Sequence, residues 1–456
     1  MVNTVAKYNR YAEYKDSGVE WLEEVPLEWN VIKIKHLSSV KRGASPRPID
    51  DLKYFDDNGE YAWVRIADVS ASDMYLVNTT QTMSALGSSL SVKLEPNELF
   101  LSIAGTVGKP CINKIKVCIH DGFVYFPDLK IPNKFLFYVF AGEQAYKGLG
   151  KMGTQLNLNT DTVGDIKVAL PKSIEDIQGI VDFLDHETAK IDSLIEKQQK
   201  LIELLQEKRQ AVISHAVTKG LNPDVTMKDS GVEWLGQVPE HWIIKANKFL
   251  LDFITSGSRG WAQYYADSGA LFFRIANLTR DTIEPKLESL QYVEPPKGSE
   301  GERSKIKLDD LLISITADLG SICVADSTIE NGYVSQHVSL CRPKNMYKSR
   351  WLAYSILSNS SKEQLLGFGY GGTKIQLSLE DIKEVVIAVP PQQEQVEIVK
   401  YIDGKLSQLE CLIKNANRLV STLSERRIAL ISAAVTGKID VRNWQAPDEA
   451  VTAHTV

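Results

Sequence analysis

The chain has 456 residues, of which 43% are hydrophobic and 24% are charged, and this composition indicates a globular protein of two to four domains. A net charge of −6 excludes a protein that binds nucleic acid over its whole surface, although it allows local basic patches. No apolar run approaches the ~18–20 residues that span a bilayer, and the first fifteen residues are polar. We therefore expect a soluble, cytoplasmic protein that does not enter a membrane.

A segment near the N-terminus is repeated in the middle of the chain. Residues 15–29 (KDSGVEWLEEVPLEW) recur 213 residues later as residues 228–242 (KDSGVEWLGQVPEHW), with eleven identities in fifteen positions. Shorter matches follow in the same order after each copy, such as WVRIAD at 63–68 and FFRIAN at 272–277. A period this long excludes a solenoid of short repeats and predicts a tandem duplication that folds as two pseudo-symmetric domains.

The repeat divides the chain into seven segments. We call the repeated segments 15–29 and 228–242 the first and second Trp motifs. The first half consists of an N-terminal arm with the first Trp motif at 1–30, a globular segment at 31–171 and a spacer helix at 172–219. The second half consists of a linker with the second Trp motif at 220–243, a globular segment at 244–390, a spacer helix at 391–438 and a C-terminal tail at 439–456. The globular segments combine short apolar strands with a few helical stretches, which indicates an α+β fold.

The two spacer segments have the 3.5-residue apolar period of a coiled coil. Each helix has ~44 residues and a predicted length of about 65 Å. Either each helix covers its own globular segment, or the two helices pair, and in that case they are antiparallel because the segment between them returns the chain. The predicted seam residues are Leu184, Ile191, Leu194, Leu201 and Leu205 in the first helix, and Leu406, Leu409, Leu412, Leu419 and Leu423 in the second.

Polar, glycine-containing loops occupy matching places in the two globular segments. The 41–47 loop corresponds to 256–261, and the 151–157 loop corresponds to 370–376. Such loops are either ordinary surface turns or contacts to DNA phosphates and base edges. The candidate DNA-binding residues are Lys41, Arg42, Arg47, Arg65, Lys151, Thr154, Gln155 and Asn157 in the first copy, and Arg259, Arg274, Thr373, Lys374 and Gln376 in the second.

Short motifs that carry catalysis are missing from the sequence. The segment 105–110 (GTVGKP) fails as a phosphate-binding loop, because its first glycine is misplaced and proline stands where Ser or Thr is needed. The five cysteines form no CxxC pair, so we expect reduced core cysteines and no bound metal. His120 and His337 occupy matching places and are interpreted as structural histidines. The sequence therefore predicts a recognition protein without catalytic residues.

Taken together and in this order, the motifs resemble the specificity subunit of type I restriction–modification systems over essentially the whole chain. The motifs that carry the resemblance are VPxxW at 25–29 and 238–242, the strand ends at 170–171 and 389–391, QEQ at 393–395, and the helix ends at 208–213 and 426–431. The first spacer helix departs from the second because it begins without the Pro-Pro pair and the paired glutamines.

The resemblance implies two target recognition domains, at 31–171 and 244–390, joined by helices that pack as an antiparallel coiled coil. Each domain would read one half of a split site in double-stranded DNA, and the helices would set the gap. Two methyltransferase (modification) subunits would bind this chain and use S-adenosylmethionine for adenine methylation. Two optional restriction subunits would use ATP and Mg for translocation and cleavage. The chain itself would bind no cofactor and would be non-catalytic.

Two other readings stay open at this point. One is a coiled-coil adaptor that docks proteins without DNA specificity, and the other is a self-contained enzyme with an unrecognised site. Divergent side chains in the paired loops favour DNA recognition, and because the two copies differ there, they predict an asymmetric site.

Overall fold

The computed structural model describes residues 8–147, 149, 158–295, 298–316, 319–368 and 376–446. The chain divides into two compact units. Unit 1 comprises Met1–Gln199 together with Arg418–Val456, and unit 2 comprises Lys200–Asn417. Each unit contains one globular domain and a part of both long helices, so the α+β fold occurs twice.

Short strands dominate the domain of unit 1. They are β1 (Tyr14–Asp16), β2 (Glu24–Pro26), β3 (Asn30–Lys33), β4 (Lys41–Arg42), β5 (Tyr61–Val64), β6 (Tyr75–Leu76), β7 (Thr82–Met83), β8 (Val92–Leu94), β9 (Leu99–Ser102), β10 (Pro110–Asn113), β11 (Val117–Ile119), β12 (Phe123–Tyr125) and β13 (Lys167–Leu170). The short helices are α1 (Ile34–Leu37), α2 (Ile66–Ala71), α3 (Ala85–Ser89), α4 (Asn133–Ala141) and α5 (Thr160–Asp165). A long helix, α6 (Ile174–Lys219), follows.

Unit 1 contains two larger sheets and two two-stranded sheets, β1–β2 and β3–β13. One sheet has the order β4-β12-β9-β10-β6 and the other has the order β7-β5-β11-β8. The central strand β9 is buried along its whole length, and α4, whose residues from Phe135 to Phe140 are all buried, packs on β9 and β10. A helix that is apolar on every side must be buried in this way. The first and last strands of the domain, β3 and β13, pair antiparallel and close it.

Unit 2 repeats this arrangement. Its strands are β14 (Met227–Asp229), β15 (Gln237–Pro239), β16 (Ile243–Ala246), β17 (Leu251–Ser256), β18 (Tyr265–Ala266), β19 (Ala270–Phe273), β20 (Tyr292–Val293), β21 (Leu311–Ser314), β22 (Ile322–Val324), β23 (Tyr333–Val334), β24 (Val338–Pro343) and β25 (Val386–Val389). Its helices are α7 (Ser299–Ser304), α8 (Ser349–Leu357), α9 (Asn359–Phe368), α10 (Leu379–Glu384) and the long α11 (Gln392–Val435).

The sheets of unit 2 have the orders β17-β24-β21-β22 and β18-β20-β19-β23. The buried strand β21 takes the place of β9, α8 takes the place of α4, and β16 pairs antiparallel with β25 as β3 does with β13. The hairpins β1–β2 and β14–β15 carry the two copies of the Trp motif. The duplication seen in the sequence is therefore a duplication of structure.

The long helices have 46 residues (α6) and 44 residues (α11), which at 1.5 Å per residue are roughly 69 and 66 Å. Within unit 1 they run antiparallel, since Phe183 of α6 packs on Trp444, just beyond α11, while Asp192 accepts hydrogen bonds from Arg427 at 2.7 and 3.2 Å. The same cores also contain domain residues, so the helices both pair and cover their own domains.

Burial differs from residue to residue along the predicted seam. Leu184, Ile191 and Leu423 are buried, and Leu205, Leu406 and Leu409 are half-buried. Leu194, Leu201, Leu412 and Leu419 are 42–51% exposed, whereas the residues next to them, Ile195, Ile202, Ile413 and Val420, are half-buried. A straight helix has 3.6 residues per turn, so a strict 3.5-residue pattern drifts by about 20° per heptad until the neighbouring position faces the partner. We therefore correct these four seam positions by one residue.

Cys111, Cys118, Cys323 and Cys341 are buried free thiols. Cys411 is also free but exposed on α11, which corrects the prediction that the cysteines all lie in the core. Over the described ranges, no helix combines the length and apolarity needed to cross a membrane. Within the same ranges, His, Cys, Asp and Glu side chains form no group of three that could hold a metal ion.

Candidate nucleic-acid interface

An arginine stands directly after a strand in each domain, in the same local turn. Arg65 follows β5 and its backbone N–H donates to Oδ2 of Asp68 at 2.9 Å. Arg274 follows β19 and its backbone N–H donates to Oδ1 of Asn277 at 2.9 Å. Each turn begins a short helix, and the acceptor three residues on satisfies a free N–H at its start. The duplication therefore places these two arginines equivalently.

Neutral hydroxyl groups hold both guanidinium groups. Nη2 of Arg65 donates to Oγ1 of Thr80, and Nη2 of Arg274 donates to Oγ of Ser289 at 3.4 Å. A carboxylate oxygen of Asp68 lies 3.8 Å from Nε of Arg65. Nε of Arg274 is buried without a hydrogen-bond partner in the described part of the chain. Hydroxyl partners fix the direction of a guanidinium without neutralising it, so the charge of Arg274 stays available to a phosphate or to a guanine, whereas Arg65 is also ion-paired with Asp68.

The 41–47 loop of unit 1 is organised by one aspartate. Nε of Arg42 donates to the backbone carbonyl of Asp121 at 2.5 Å, and Oγ of Ser45 lies 3.4 Å from its Oδ1. Nη2 of Arg47 lies 4.0 Å from Oδ2 of Asp121, and the Arg47 side chain is 86% exposed. Lys41 is also exposed on the edge strand β4. The loop therefore presents three cations to solvent on a fixed backbone.

The 41–47 and 256–261 loops each pack closely against the sheet at a glycine. A Cβ at Gly43 would overlap the carbonyl oxygen of His120, and a Cβ at Gly257 would overlap that of Val334. These contacts lie at the carboxyl ends of β11 and β23. Because β11 is parallel to β5 and β23 is parallel to β19, the loops meet the ends of the strands that precede Arg65 and Arg274. In each unit, the structure brings the predicted loop and the predicted arginine together at the carboxyl ends of two neighbouring parallel strands. We call this place the sheet edge.

A buried aromatic side chain anchors the 256–261 loop of unit 2. Trp261 is buried, stacks on Phe272 with 5.8 Å between ring centroids, and lies 5.5 Å from the Tyr333 ring. Gly260 has a φ of +85°, a conformation that favours glycine, and Arg259 before it is exposed. The buried tryptophan therefore fixes the loop that carries Arg259.

Among the remaining predicted loop residues, Gln376 is the one that lies within the described part of the chain. Gln376 is exposed and its backbone forms an isolated bridge with Thr316. The remaining candidates lie outside the described residues: Lys151, Thr154, Gln155, Asn157, Thr373 and Lys374. They stay predictions.

Sequence reasoning missed Asp121, which joins three groups of the 41–47 loop. The available signal was a charged residue inside the segment HDG at 120–122, between two apolar strands. It also missed a basic cleft of about 560 Å³ in unit 2, lined by Lys307, Lys344, Lys348 and the ion pair of the buried Asp310 with the half-buried Arg342, among others. Nε and Nη2 of Arg342 donate to the two oxygens of Asp310 at 2.7 and 2.6 Å.

His120 lies behind the 41–47 loop and its Nδ1 accepts the backbone N–H of Gly122 at 2.8 Å. Its ring packs on Phe123, with 4.6 Å between centroids. Burial lowers the pKa of His120, and a protonated ring would lose the acceptor that Gly122 needs. This geometry agrees with a structural histidine, whereas His337, the matching residue of unit 2, is exposed.

We expect this histidine to make unit 1 less stable in mild acid. A histidine with a lowered pKa contributes its full stability above the unfolded value of about 6.5, and this contribution is lost as the pH falls through the folded pKa. His120→Gln should reduce the difference between urea unfolding at pH 7.5 and pH 5.5. The control His36→Gln changes an exposed histidine of the same unit and should leave that difference unaltered. An unchanged difference in His120→Gln would contradict the assignment.

A family model described as the type I restriction modification DNA specificity domain matches residues 26–205 and 295–416. The chain is 22% identical over 455 residues to the putative type I restriction enzyme MjaX specificity subunit of Methanocaldococcus jannaschii, which covers 94% of this chain and 98% of that protein. It is 23% identical over 312 residues to the type I restriction enzyme EcoBI specificity subunit of Escherichia coli. That match spans 64% of this chain and 62% of the relative's length.

A solved structure described as the structural basis of complex assembly and conformational transition of the type I R-M system has the same fold. Its TM-score is 0.68 at 16% identity, and the match covers 90% of this chain and 98% of that one. The family match extends over more than half of the chain and falls once in each repeat. With the duplicated α+β domains and the two long helices, these matches show that the chain belongs to the family of type I restriction–modification specificity subunits.

Proposed function

We propose that this chain selects the DNA site of a type I restriction–modification complex and that each domain reads one half of a bipartite site. The observation that carries the proposal is the repeated sheet edge, at which an oriented arginine meets a glycine-anchored loop in both units. The arginine turn and the glycine contact recur in both units, while the loop sequences differ, with KRGASPR at 41–47 and SGSRGW at 256–261. Different readout residues on one frame support an asymmetric site.

The chemistry of the two edges suits this task. Arginine can bind guanine O6 and N7 in two parallel hydrogen bonds, and lysine or arginine in a loop can contact phosphates. A correct base contact discriminates by about 1–3 kcal/mol per base pair, so a few contacts in each half accumulate useful specificity. We assign direct readout to Arg65 and Arg274, and phosphate contact to the 41–47 loop.

The remaining activities belong to partners in this proposal. Two methyltransferase subunits dock on this chain and use S-adenosylmethionine for adenine methylation, and two restriction subunits, where present, use ATP and Mg for cleavage. The chain acts as a non-catalytic subunit with no cofactor of its own. Family membership supports this assignment, because the relatives above carry the same subunit name.

The decisive experiment is base-resolution mapping of adenine methylation in cells that carry this chain with its methyltransferase partner. Cells that lack only this chain provide the comparison. We expect methylation at a split, asymmetric motif that disappears with the chain. Methylation that is identical in both strains would contradict the proposal and favour a coiled-coil adaptor without DNA specificity.

The 41–47 loop gives a quantitative prediction. Arg47→Ala should weaken DNA binding by the assembled complex and reduce the slope of log K against log salt by about 0.9, the value for one phosphate contact. The control is Lys167→Ala, an exposed lysine of β13, which belongs to a different sheet from β4. A slope that is equal in the wild type and in Arg47→Ala would show that Arg47 touches no phosphate.

The long helices serve in this proposal as the ruler for the gap between the half-sites. Four residues inserted into a helix lengthen it by about 6 Å, compared with a rise of about 3.4 Å per base pair of B-DNA. Insertion of four helix-forming residues into the middle of α6 should lengthen the preferred gap by about one or two base pairs. Methylation mapping measures the gap directly. An active variant with an unaltered gap would contradict the ruler.

A further inference from the structure

In each unit, one aspartate of a long helix accepts hydrogen bonds from a cation and a tyrosine of the domain. In unit 1 the aspartate is Asp185 of α6, and its donors are Nζ of Lys134 and, at 2.6 Å, the hydroxyl of Tyr138. Oγ1 of Thr188, one turn further along α6, lies 3.4 Å from the same hydroxyl. Both donors belong to α4, which packs on the sheet strands β9 and β10. The aspartate therefore ties the domain sheet to α6 through α4.

Unit 2 contains the same set of groups. Asp403 of α11 accepts hydrogen bonds from Nη2 of Arg350 at 3.0 Å and from the hydroxyl of Tyr354 at 2.5 Å. Both donors belong to α8, which packs on β22, and Nη1 of Arg350 also donates to Oε1 of Glu284 at 2.7 Å. We call each aspartate with its cation and tyrosine a clamp, so that clamp 1 contains Asp185 and clamp 2 contains Asp403.

The cation and the tyrosine have the same spacing along their helix in both clamps. In both units the cation and the tyrosine lie four residues apart, which places them on one face of a helix. Lysine in clamp 1 is replaced by arginine in clamp 2, so the charge and the donor function are retained. The side chains differ in size and geometry, but the arrangement of cation, hydroxyl and carboxylate is the same. Two copies with one arrangement indicate a constraint on the contact itself.

Both clamps consist of hydrogen bonds from a buried tyrosine and a partly exposed cation to a charged carboxylate. Tyr138 and Tyr354 are 0% and 3% exposed, and burial raises the pKa of both, so their hydroxyl groups are donors at neutral pH. Hydrogen bonds to a charged acceptor are roughly twice as strong as those between neutral groups. Lys134 and Asp185 are only partly exposed, at 36% and 31%, which limits screening by water.

The geometry of DNA makes such a contact relevant to the gap. A gap that is one base pair longer moves a half-site by about 3.4 Å and rotates it by about 35°. One way for a domain to follow that movement is to shift on its helix. Hydrogen bonds are typically 2.7–3.2 Å long between heavy atoms, so a shift of several ångströms breaks both contacts of a clamp. A clamp therefore opposes recognition of neighbouring gap lengths.

We propose that Asp185 and Asp403 are positioning residues that fix each recognition domain on its helix and thereby restrict the complex to one gap length. The proposal rests on the proposed function, because it concerns how the two half-sites are spaced. It assigns the gap to two joints in addition to the length of the helices.

The test is methylation mapping with Asp185→Asn and Asp403→Asn, each expressed with the methyltransferase partner. Asparagine keeps the size of the side chain but loses the charge. We expect unchanged half-site sequences, with a roughly tenfold rise in the share of methylated sites whose gap differs by one base pair. Tyr138→Phe and Tyr354→Phe remove only the hydroxyl group and should give the same broadening to a smaller extent. Glu196→Gln and Glu410→Gln are matched controls, since they change exposed carboxylates of the same two helices.

The outcomes separate the proposals. A wild-type complex that methylates no bipartite site contradicts the proposed function itself. If the wild type does methylate such a site, a single unaltered gap in the Asn and Phe variants overturns the clamp proposal. A uniform loss of methylation without broadening in both kinds of variant also overturns it, because a merely structural role lowers activity without changing the gap.

Discussion

Replacement of Arg342 by methionine is expected to destabilise unit 2 by about 3–5 kcal/mol at pH 7, because it leaves a buried carboxylate without its partner. The Asp310 side chain is 1% exposed, and its Oδ2 also accepts the backbone N–H of Lys307 at 2.8 Å. Urea unfolding of the full chain measures the change. A loss of less than about 1 kcal/mol would contradict the role of the pair.

The destabilisation caused by Arg342→Met should depend on pH, because the Asp310 carboxyl group can be protonated. Burial raises the pKa of Asp310 although Arg342 acts in the opposite direction. Without Arg342 the pKa rises further, and a carboxyl group with a raised folded pKa loses stability as the pH increases through that value. The stability difference between Arg342→Met and the wild type should therefore be smaller at pH 5 than at pH 7.

A second substitution and a neighbour provide the controls. Asp310→Asn in the Arg342→Met background removes the charge but keeps an oxygen for the Lys307 N–H, so we expect it to recover most of the stability. Lys348→Met changes an exposed lysine of the same cleft and should alter stability by no more than about 0.5 kcal/mol.

Trp242→Ala is expected to cost about 3–5 kcal/mol, the usual loss when a fully buried large aromatic side chain is removed. Trp242 is 0% exposed, and its Nε1 donates to Oε2 of Glu394 at 3.1 Å. The position of a Cβ at Gly220, just after α6, lies 3.3 Å from its ring. The indole thus fills the junction between the end of α6, the second Trp motif and the start of α11, all within unit 2.

The same motif contains the control. Trp234 is 44% exposed, and Trp234→Ala should change the free energy of unfolding by no more than about 0.5 kcal/mol. Thermal or urea unfolding of the two variants side by side tests the prediction. Equal destabilisation by both substitutions would show that burial does not decide the contribution of these tryptophans.

These tryptophans show what a repeat can and cannot predict. The sequence treats Trp21 and Trp234 as equivalent, but Trp21 is 9% exposed and belongs to a core that also contains Ile439 and Val441. Unit 2 is a continuous stretch that ends at Asn417, so the C-terminal segment after α11 contributes to unit 1 alone. The sequence predicted the α+β class and both long helices because each depends on patterns within a short window, and it predicted the duplication because short motifs recur in the same order 213 residues apart.

Contacts between distant residues were beyond the reach of the sequence. Asp121 meets the 41–47 loop, and Asp185 meets Tyr138, across 47–80 residues of chain. Nothing in the local pattern distinguishes these aspartates from solvated ones, because their partners are brought near only by the packing of sheets and helices. Arg65 and Arg274 were found because the duplication marks them, and the sheet edge that they share with the loops was visible only in the structure.

The division of the chain into units has a consequence for how the protein is made. Unit 2 is one uninterrupted stretch, whereas unit 1 joins the first 199 residues to the last 39. A ribosome therefore releases the whole of unit 2 before it finishes unit 1, and the apolar face of α6 around Phe183 and Ile191 waits for Leu423 and Leu430 to emerge. Apolar surface that is exposed during synthesis is prone to aggregation. A premature stop codon close to the C-terminus would accordingly damage the amino-terminal domain and spare the central one.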